Sequence, residues 1–230
     1  MLISLYLRKL MSLSLILILY SIYSSTSSAD TISMHDLDLK KQALQILKKY
    51  SKASAIEFKT QKNEQKKALG ISTSIEGLLF YSKGKILYSV LQPNKIDIIY
   101  NKDIWIIEHP DLDLDVNANR KVTYLGGHKI IFLKTFSDLF TSSENFLNDE
   151  VSLKKENDFL IINLNKSKKI DIKSLKIKLN TKLSVVDSIE IIDDLDNEII
   201  FNFIQTKFLK KINSDKFIFR KLKTDEVLKP

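Results

Sequence analysis

Cysteine is absent from all 230 residues, which removes disulfides, thiolate metal sites and a cysteine nucleophile at one stroke. It also removes a lipobox, so the chain is not expected to be acylated at its own N-terminus. Glycine is scarce, at five residues, and Gly126-Gly127 belong to no phosphate-cradling loop; a G-x-S-x-G nucleophile turn is missing too. The three histidines, His35, His109 and His128, stand far apart, with no paired Asp, Ser or His at a metal-ligand spacing. Neither enzymatic activity nor a cofactor is expected from such a set. Asp111, Asp113 and Asp115 suggest a calcium loop, but its sixth and twelfth positions hold Val116 and Val122 rather than Gly and Glu. Leu112, Leu114 and Val116 on one side of a strand, with the aspartates in water, explain that stretch better.

At 44% hydrophobic the chain has enough apolar material for one globular domain with a sizeable core. Its formal charge is +8, but Lys is spread among Ile, Asn and Asp along the whole length. Nucleic-acid binding, which uses a clustered basic stripe, is therefore not expected. Arg8 and Lys9 precede an apolar run from Leu10 to Tyr23, and Ser27 and Ala29 supply small residues before Asp30. That order is a secretory signal peptide over residues 1–29, cleaved before the mature domain at 30–230. An uncleaved anchor is the competing reading, against which the run is short of the ~20 apolar residues a spanning helix needs. Without Arg8 and Lys9, two of the positive charges, the mature chain carries +6. Export to the periplasm or the cell exterior follows.

Residues 33–54 repeat Leu37, Lys40, Ala43, Leu44, Leu47 and Tyr50 at helical spacing, with Ser33 and Asp36 as a loose capping box. Ile56 to Gln61 alternates as a first strand, and Lys59 to Ala68 is polar enough for a loop or a strand's exposed end. From Gly77 to Pro110 come four short apolar runs, Leu78–Tyr81, Ile86–Val90, Ile96–Tyr100 and Ile104–Ile107, divided by turn residues: a strand meander with apolar surroundings on both faces. Between Ile130 and Leu147 the apolar spacing becomes helical and breaks at Thr141-Ser142-Ser143, giving two short helices or one kinked helix. Strand patterns resume at Phe159–Asn165, Ile170–Leu179, Val185–Ile192, Glu198–Phe208 and Phe217–Leu222. No βαβ alternation is visible, so the fold class is mainly β (α+β): one large curved antiparallel sheet, with the N-terminal helix and the helical insert on its concave side. That arrangement encloses an interior.

Gly77-x-Leu79-x-Tyr81, Pro93, Asn101-Lys102-Asp103-Ile104-Trp105 and Pro110 follow one another as in the LolA family, periplasmic carriers of outer-membrane lipoproteins, which this stretch resembles. Phe58 and Gln61 fit the start of that family's sheet, Phe217-Ile218-Phe219 its closing aromatic strand, and Asp225 to Val227 its short Asp-Val ending; the usual Pro-Pro-x-Gly between them is missing. The resemblance implies an incomplete β-barrel whose short helices act as a lid over a hydrophobic cavity. It implies no catalysis, but transfer of acylated lipoproteins through the periplasm from an inner-membrane lipoprotein-releasing ABC transporter to an outer-membrane lipoprotein acceptor, by a monomer. Phe58, Leu79, Tyr81, Leu87, Trp105, Phe136, Leu139 and Phe140 are the expected lining of the acyl-chain cavity. A one-residue register slip would turn any of them to the other face. The family's lid-holding Arg-Pro is matched here by Lys83-Gly84, so Lys83 is the counterpart for lid gating, without the planar fork of a guanidinium. Half-barrels of this kind also serve as free-lipid carriers and stress sensors. A filled, purely structural β-protein and a hydrolase are the readings from other classes.

Overall fold

The computed structural model describes residues 34–92, 94–110, 119–126, 131–147, 151–165 and 172–229. The expected leader, the strand expected over 111–116 and Pro93 lie outside them. The chain divides into Met1–Leu37 and Asp38–Pro230; in the first, the described residues are only the opening of a helix, and the account below concerns the second. No helix among the described residues is long and apolar enough to cross a membrane.

Helix α1 runs Met34–Lys52, with Asp36 in its first turn and Lys49 and Lys52 in its last, each sign set against the helix dipole. Its buried stripe is Leu39, Ala43, Ile46, Leu47 and Tyr50, one face at helical spacing. Ala43, Leu47 and Tyr50 of the expected stripe are in it and Leu44 packs beside it, whereas Leu37 is 61% exposed and Leu39 and Ile46 were not foreseen. The helix ends where the Ala53 N–H bonds back to the Tyr50 carbonyl at 3.2 Å.

Twelve strands follow: β1 (Ala55–Lys66), β2 (Ile71–Ser82), β3 (Lys85–Val90), β4 (Ile96–Asn101), β5 (Asp103–Glu108), β6 (Lys121–Gly126), β7 (Val151–Glu156), β8 (Phe159–Asn165), β9 (Ser174–Asn180), β10 (Val185–Ile192), β11 (Glu198–Leu209) and β12 (Glu226–Leu228). Between β6 and β7 lie α2 (Ile131–Thr141) and the single turn α3 (Ser143–Phe146), broken at Ser142 within the expected Thr-Ser-Ser. The strands form one curved sheet in the order β12-β6-β5-β4-β3-β2-β1-β11-β10-β9-β8-β7. Its two edges, β12 and β7, do not meet, so the barrel is incomplete. All pairings are antiparallel except β12 with β6, which is parallel. β1 and β2 pair along their full length, Ile56 opposite Tyr81 through to Lys66 opposite Ile71. The polar half of β1, expected as a loop or a strand's exposed end, is strand through Lys66.

The β2–β3 turn places Lys83 at φ 49° and Gly84 at φ 80°. Left-handed backbone at both central residues matches the right-handed twist of the hairpin, and Gly84 adopts it without steric cost.

Strand alternation divides the apolar residues between two faces. The inner face, toward α1 and α2, takes Ile56 and Phe58 from β1, Leu79 and Tyr81 from β2, and Ile86, Tyr88 and Val90 from β3; β8 to β11 continue it through residues such as Ile177, Ile189 and Phe203. The outer face carries a smaller cluster of Ile99, Ile107 and Val122, with Leu87, Trp105, Phe219 and Val227 packed against it. The C-terminal segment makes that cover. The aromatic strand expected at Phe217–Leu222 is not formed: Ser214–Phe217 is a 3-10 turn, capped by Asn213, whose side chain accepts from the Asp215 N–H. The cap stops extension at that point, and the chain re-enters the sheet only at β12. There the Arg120 guanidinium grips both Asp225 carboxylate oxygens, at 2.8 and 2.7 Å.

Candidate functional site

Helix α2 is apolar on the side that meets the sheet because Leu133, Phe136, Leu139 and Phe140 recur at intervals of three, three and one. All four are buried, with Thr135 and Ser137 beside them. Phe136 stands edge-on to Phe58 at 5.5 Å and to Tyr81 at 6.1 Å between ring centroids. Phe140 stacks on Tyr50 of α1 at 4.4 Å and stands edge-on to Phe136 at 4.5 Å. Phe203 of β11 closes the group, 5.0 Å from Phe58. The result is an aromatic nest between the two helices and the inner face.

Six of the eight expected lining residues come together there: Phe58, Leu79, Tyr81, Phe136, Leu139 and Phe140, none more than 2% exposed. The other two do not. Leu87 and Trp105 point to the outer cluster, Leu87 because it is one residue out of step with Ile86 and Tyr88, and Trp105 because it pairs with Ile99 across β4–β5. Their expected place in the interior is corrected by strand parity alone.

The few polar atoms inside are phenols and hydroxyls. Tyr50 Oη accepts from the Val186 N–H at 2.7 Å, and burial pushes its pKa up to about 12. Burial likewise raises Tyr81 and Tyr88. Thr60 donates to the Gly77 carbonyl at 3.1 Å, while Tyr88 Oη and Thr135 Oγ1 are sequestered without a hydrogen bond of good geometry. The raised phenols stay protonated at physiological pH. Gly77 is required for the packing: a Cβ there would stand 2.6 Å from Tyr88 Cε2 and 2.8 Å from the Ser89 carbonyl oxygen.

Around the rim the helices are lightly fastened. Ser137 Oγ donates to the Gly84 carbonyl at 3.4 Å, so the hairpin tip touches α2 through its backbone. Lys83 itself is exposed and lines a separate cavity at the same tip. Across the helices, Lys48 of α1 pairs with Glu144 of α3 at 2.8 Å.

One constellation was not foreseen. On the outer face Asp97 accepts from Ser89 Oγ and lies 2.7 Å from His109 Nε2. The aspartate stands between the other two, so the histidine cannot deprotonate the serine, and the trio lacks the order that nucleophilic catalysis needs. Counting the register back from the Asn101–Asp103 turn pairs position 97 with 107, which would have placed His109 near Asp97. Among the described residues no three His, Asp or Glu side chains are grouped to hold a metal ion.

No family model matches the chain, and no curated protein does. Among solved structures it is similar to an uncharacterized conserved protein from Thermus thermophilus (TM-score 0.48, 5% identity, covering 83% of this chain and 98% of that one). It is also similar to the lipoprotein LppX of Mycobacterium tuberculosis (0.45, 12%, 78% and 100%) and to a LolA superfamily protein from Nitrosomonas europaea (0.40, 9%, 77% and 97%). With every TM-score below 0.5, no property of those proteins is carried over.

Proposed function

We propose that this chain is a periplasmic carrier that takes the acyl chains of lipoproteins between α2 and the inner face of the sheet, and releases them at the outer membrane. The observation that carries this reading is a lid whose Leu133, Phe136, Leu139 and Phe140 are buried but whose polar fastenings, among the described residues, are one long hydrogen bond and one exposed ion pair. Burying Leu133, Phe136, Leu139 and Phe140 is worth about 1.5–3 kcal/mol each, on the order of 6–12 kcal/mol in all. Opened onto water the lid would be populated at roughly one part in ten thousand or less. An acyl chain of about a dozen methylenes brings roughly 10 kcal/mol of its own on leaving water. Exchange of the helix face for a single acyl chain is therefore nearly balanced, so each chain can be taken up and given back at a modest difference in free energy.

The releasing transporter and the receiving acceptor are the partners that such a route demands, the chain acts as a monomer without cofactor or catalysis, and the leader at 1–29 delivers it. Lys83 enters only through the turn it shares with Gly84, whose carbonyl meets the lid.

The test uses the absence of native cysteine. Lys48→Cys with Glu144→Cys, bridged by a short bifunctional thiol reagent, ties α3 to α1. Uncrosslinked protein is expected to draw a triacylated lipoprotein from inner-membrane vesicles supplied with ATP and the release machinery, as a one-to-one soluble complex seen by native mass spectrometry; crosslinked protein is expected to stay empty. Recovery of free phospholipid and never lipoprotein would move the reading to a lipid shuttle, and pickup unaffected by the crosslink would remove the lid from it.

A further inference from the structure

At the end of the sheet marked by the β2–β3 hairpin lies a cavity of about 290 Å³, near the lower size of small-ligand sites. Its walls are Ser54 just before β1, Ser82 at the end of β2, Lys83 and Lys85 of the hairpin, and the run after β11 that holds Lys210, Lys211 and Ser214. Phe217, 1% exposed, closes it from the apolar side. It is distinct from the aromatic nest.

Four lysines converge on this one space. Several lysines on the strands are paired with carboxylates: Lys59 with Glu76, Lys62 with Glu64, Lys176 with Glu190, Lys207 with Glu57. Lys83, Lys85, Lys210 and Lys211 have no acidic partner among the described residues, and no carboxylate lines the cavity. Like charges gathered around a concave wall repel one another and focus a positive potential into it. The wall adds donors, since the hydroxyls of Ser54 and Ser214 donate to no other described group, while Ser82 Oγ is spent on the Ser54 carbonyl at 2.8 Å. Lys83 occupies the left-handed region, where Asn or Gly is the ordinary choice and a long side chain is strained. Lys102 at the β4–β5 turn shares that backbone, so it is the convergence of four lysines, and not the turn, that marks the site.

We propose that this cavity binds a phosphate group, held by Lys83, Lys85, Lys210 and Lys211 and by the Ser54 and Ser214 hydroxyls. Several ammonium groups around one space suit a dianion with three or four acceptor oxygens, and lysine binds phosphate as a point charge without the flat bidentate geometry an arginine would impose. The site does not depend on what fills the interior. Its phosphate has two sources, the free ion or the headgroup of an anionic lipid.

The purified chain, amide-labelled for NMR, is titrated with inorganic phosphate at low ionic strength. The expected result is saturable shift changes confined to residues around Ser54, Ser82–Lys85 and Lys210–Ser214. The double variant Lys83→Asn, Lys210→Gln replaces exposed residues, and Asn tolerates the left-handed turn; it is expected to bind at least about tenfold more weakly, as lost charge-assisted bonds require. Lys67→Gln with Lys121→Gln, exposed lysines that the register places at the opposite end of the sheet from the hairpin, is expected to change nothing. In a second arm the chain is floated with phosphatidylcholine vesicles, with or without phosphatidic acid. Flotation only with phosphatidic acid, lost in the double variant and competed by inorganic phosphate, identifies the headgroup; saturable phosphate binding without flotation identifies the free ion. Shifts spread evenly over surface lysines, or equal affinity in the double variant, overturn the site.

Discussion

The two faces of the sheet are made from the same strands, one residue apart, yet they are closed in different ways. The inner face is covered by helices that touch it through apolar side chains, with a 3.4 Å hydrogen bond at the rim. The outer face is covered by a C-terminal strap that is clamped by a charged, bidentate pair and by three residues of parallel strand. Helix α1 is pinned to the sheet by the buried Tyr50–Val186 hydrogen bond at 2.7 Å, whereas α2 meets it through apolar side chains and that one long bond; α2 can be exchanged for another apolar body, and a strap with charged, bidentate bonds cannot. The difference assigns exchange to the inner face and permanence to the outer one.

The largest effect should come from the inner face. Phe136→Ala removes a fully buried ring that touches Phe58, Tyr81, Phe140 and Phe203, and is expected to cost about 3–5 kcal/mol in urea unfolding. Trp105→Ala, on the outer face and half-buried, should cost about half of that. The reverse ranking would make the outer cluster the principal core and break the comparison. Next comes Gly77→Ala. The new methyl meets the Tyr88 ring and the Ser89 backbone oxygen at under 3 Å, so overpacking of about 1–3 kcal/mol is expected. Tyr88→Leu in the same chain should recover part of it, which a loss of backbone freedom alone would not allow.

How much of this was legible in the sequence depends on how local each signal is. Phe159–Asn165 and Val185–Ile192 were read to the residue, and Ile170–Leu179 and Glu198–Phe208 within a few, because each is bounded by its own turn residues; Phe217–Leu222 was not a strand. β7 was missed: VSLKKE has only Val151 and Leu153 half-buried, and as an edge strand it carries lysines that look like loop. β6 was missed for a similar reason, with Val122 its one buried residue. The polar half of β1 owes its extension to pairing with β11, some 130 residues away, which no local pattern carries. Within the candidate site, six of the expected residues come together in the buried nest, because size and aromaticity are visible in a sequence. Leu87 and Trp105 were misplaced because the side of the sheet is a matter of register. The lysine cavity was invisible, since it joins the hairpin at 83–85 to a segment 125 residues further on.

The smallest effect belongs to the strap, and it is a local one. Arg120 and the Leu222 N–H stabilise the Asp225 carboxylate, holding its pKa below the usual 3.8. A carboxylate depressed on folding contributes its full stabilisation above its unfolded value and loses it as pH falls through the folded one. The strap is therefore expected to stay docked down to pH values below 3.8 and to loosen under stronger acid, while the inner nest, whose groups are neutral phenols and hydrocarbon, does not respond. The chain offers its own reporter, because its single tryptophan, Trp105, stacks on Phe219 of the strap at 4.2 Å. Its emission should shift to longer wavelength in that acid range before the far-ultraviolet circular dichroism changes. Asp225→Asn should show the shifted emission already at neutral pH, with the urea midpoint of the whole domain little altered. Emission and circular dichroism changing together would mean that the strap and the sheet unfold as one unit, and the outer face would then be a structural partner of the inner one rather than a separately fastened cover.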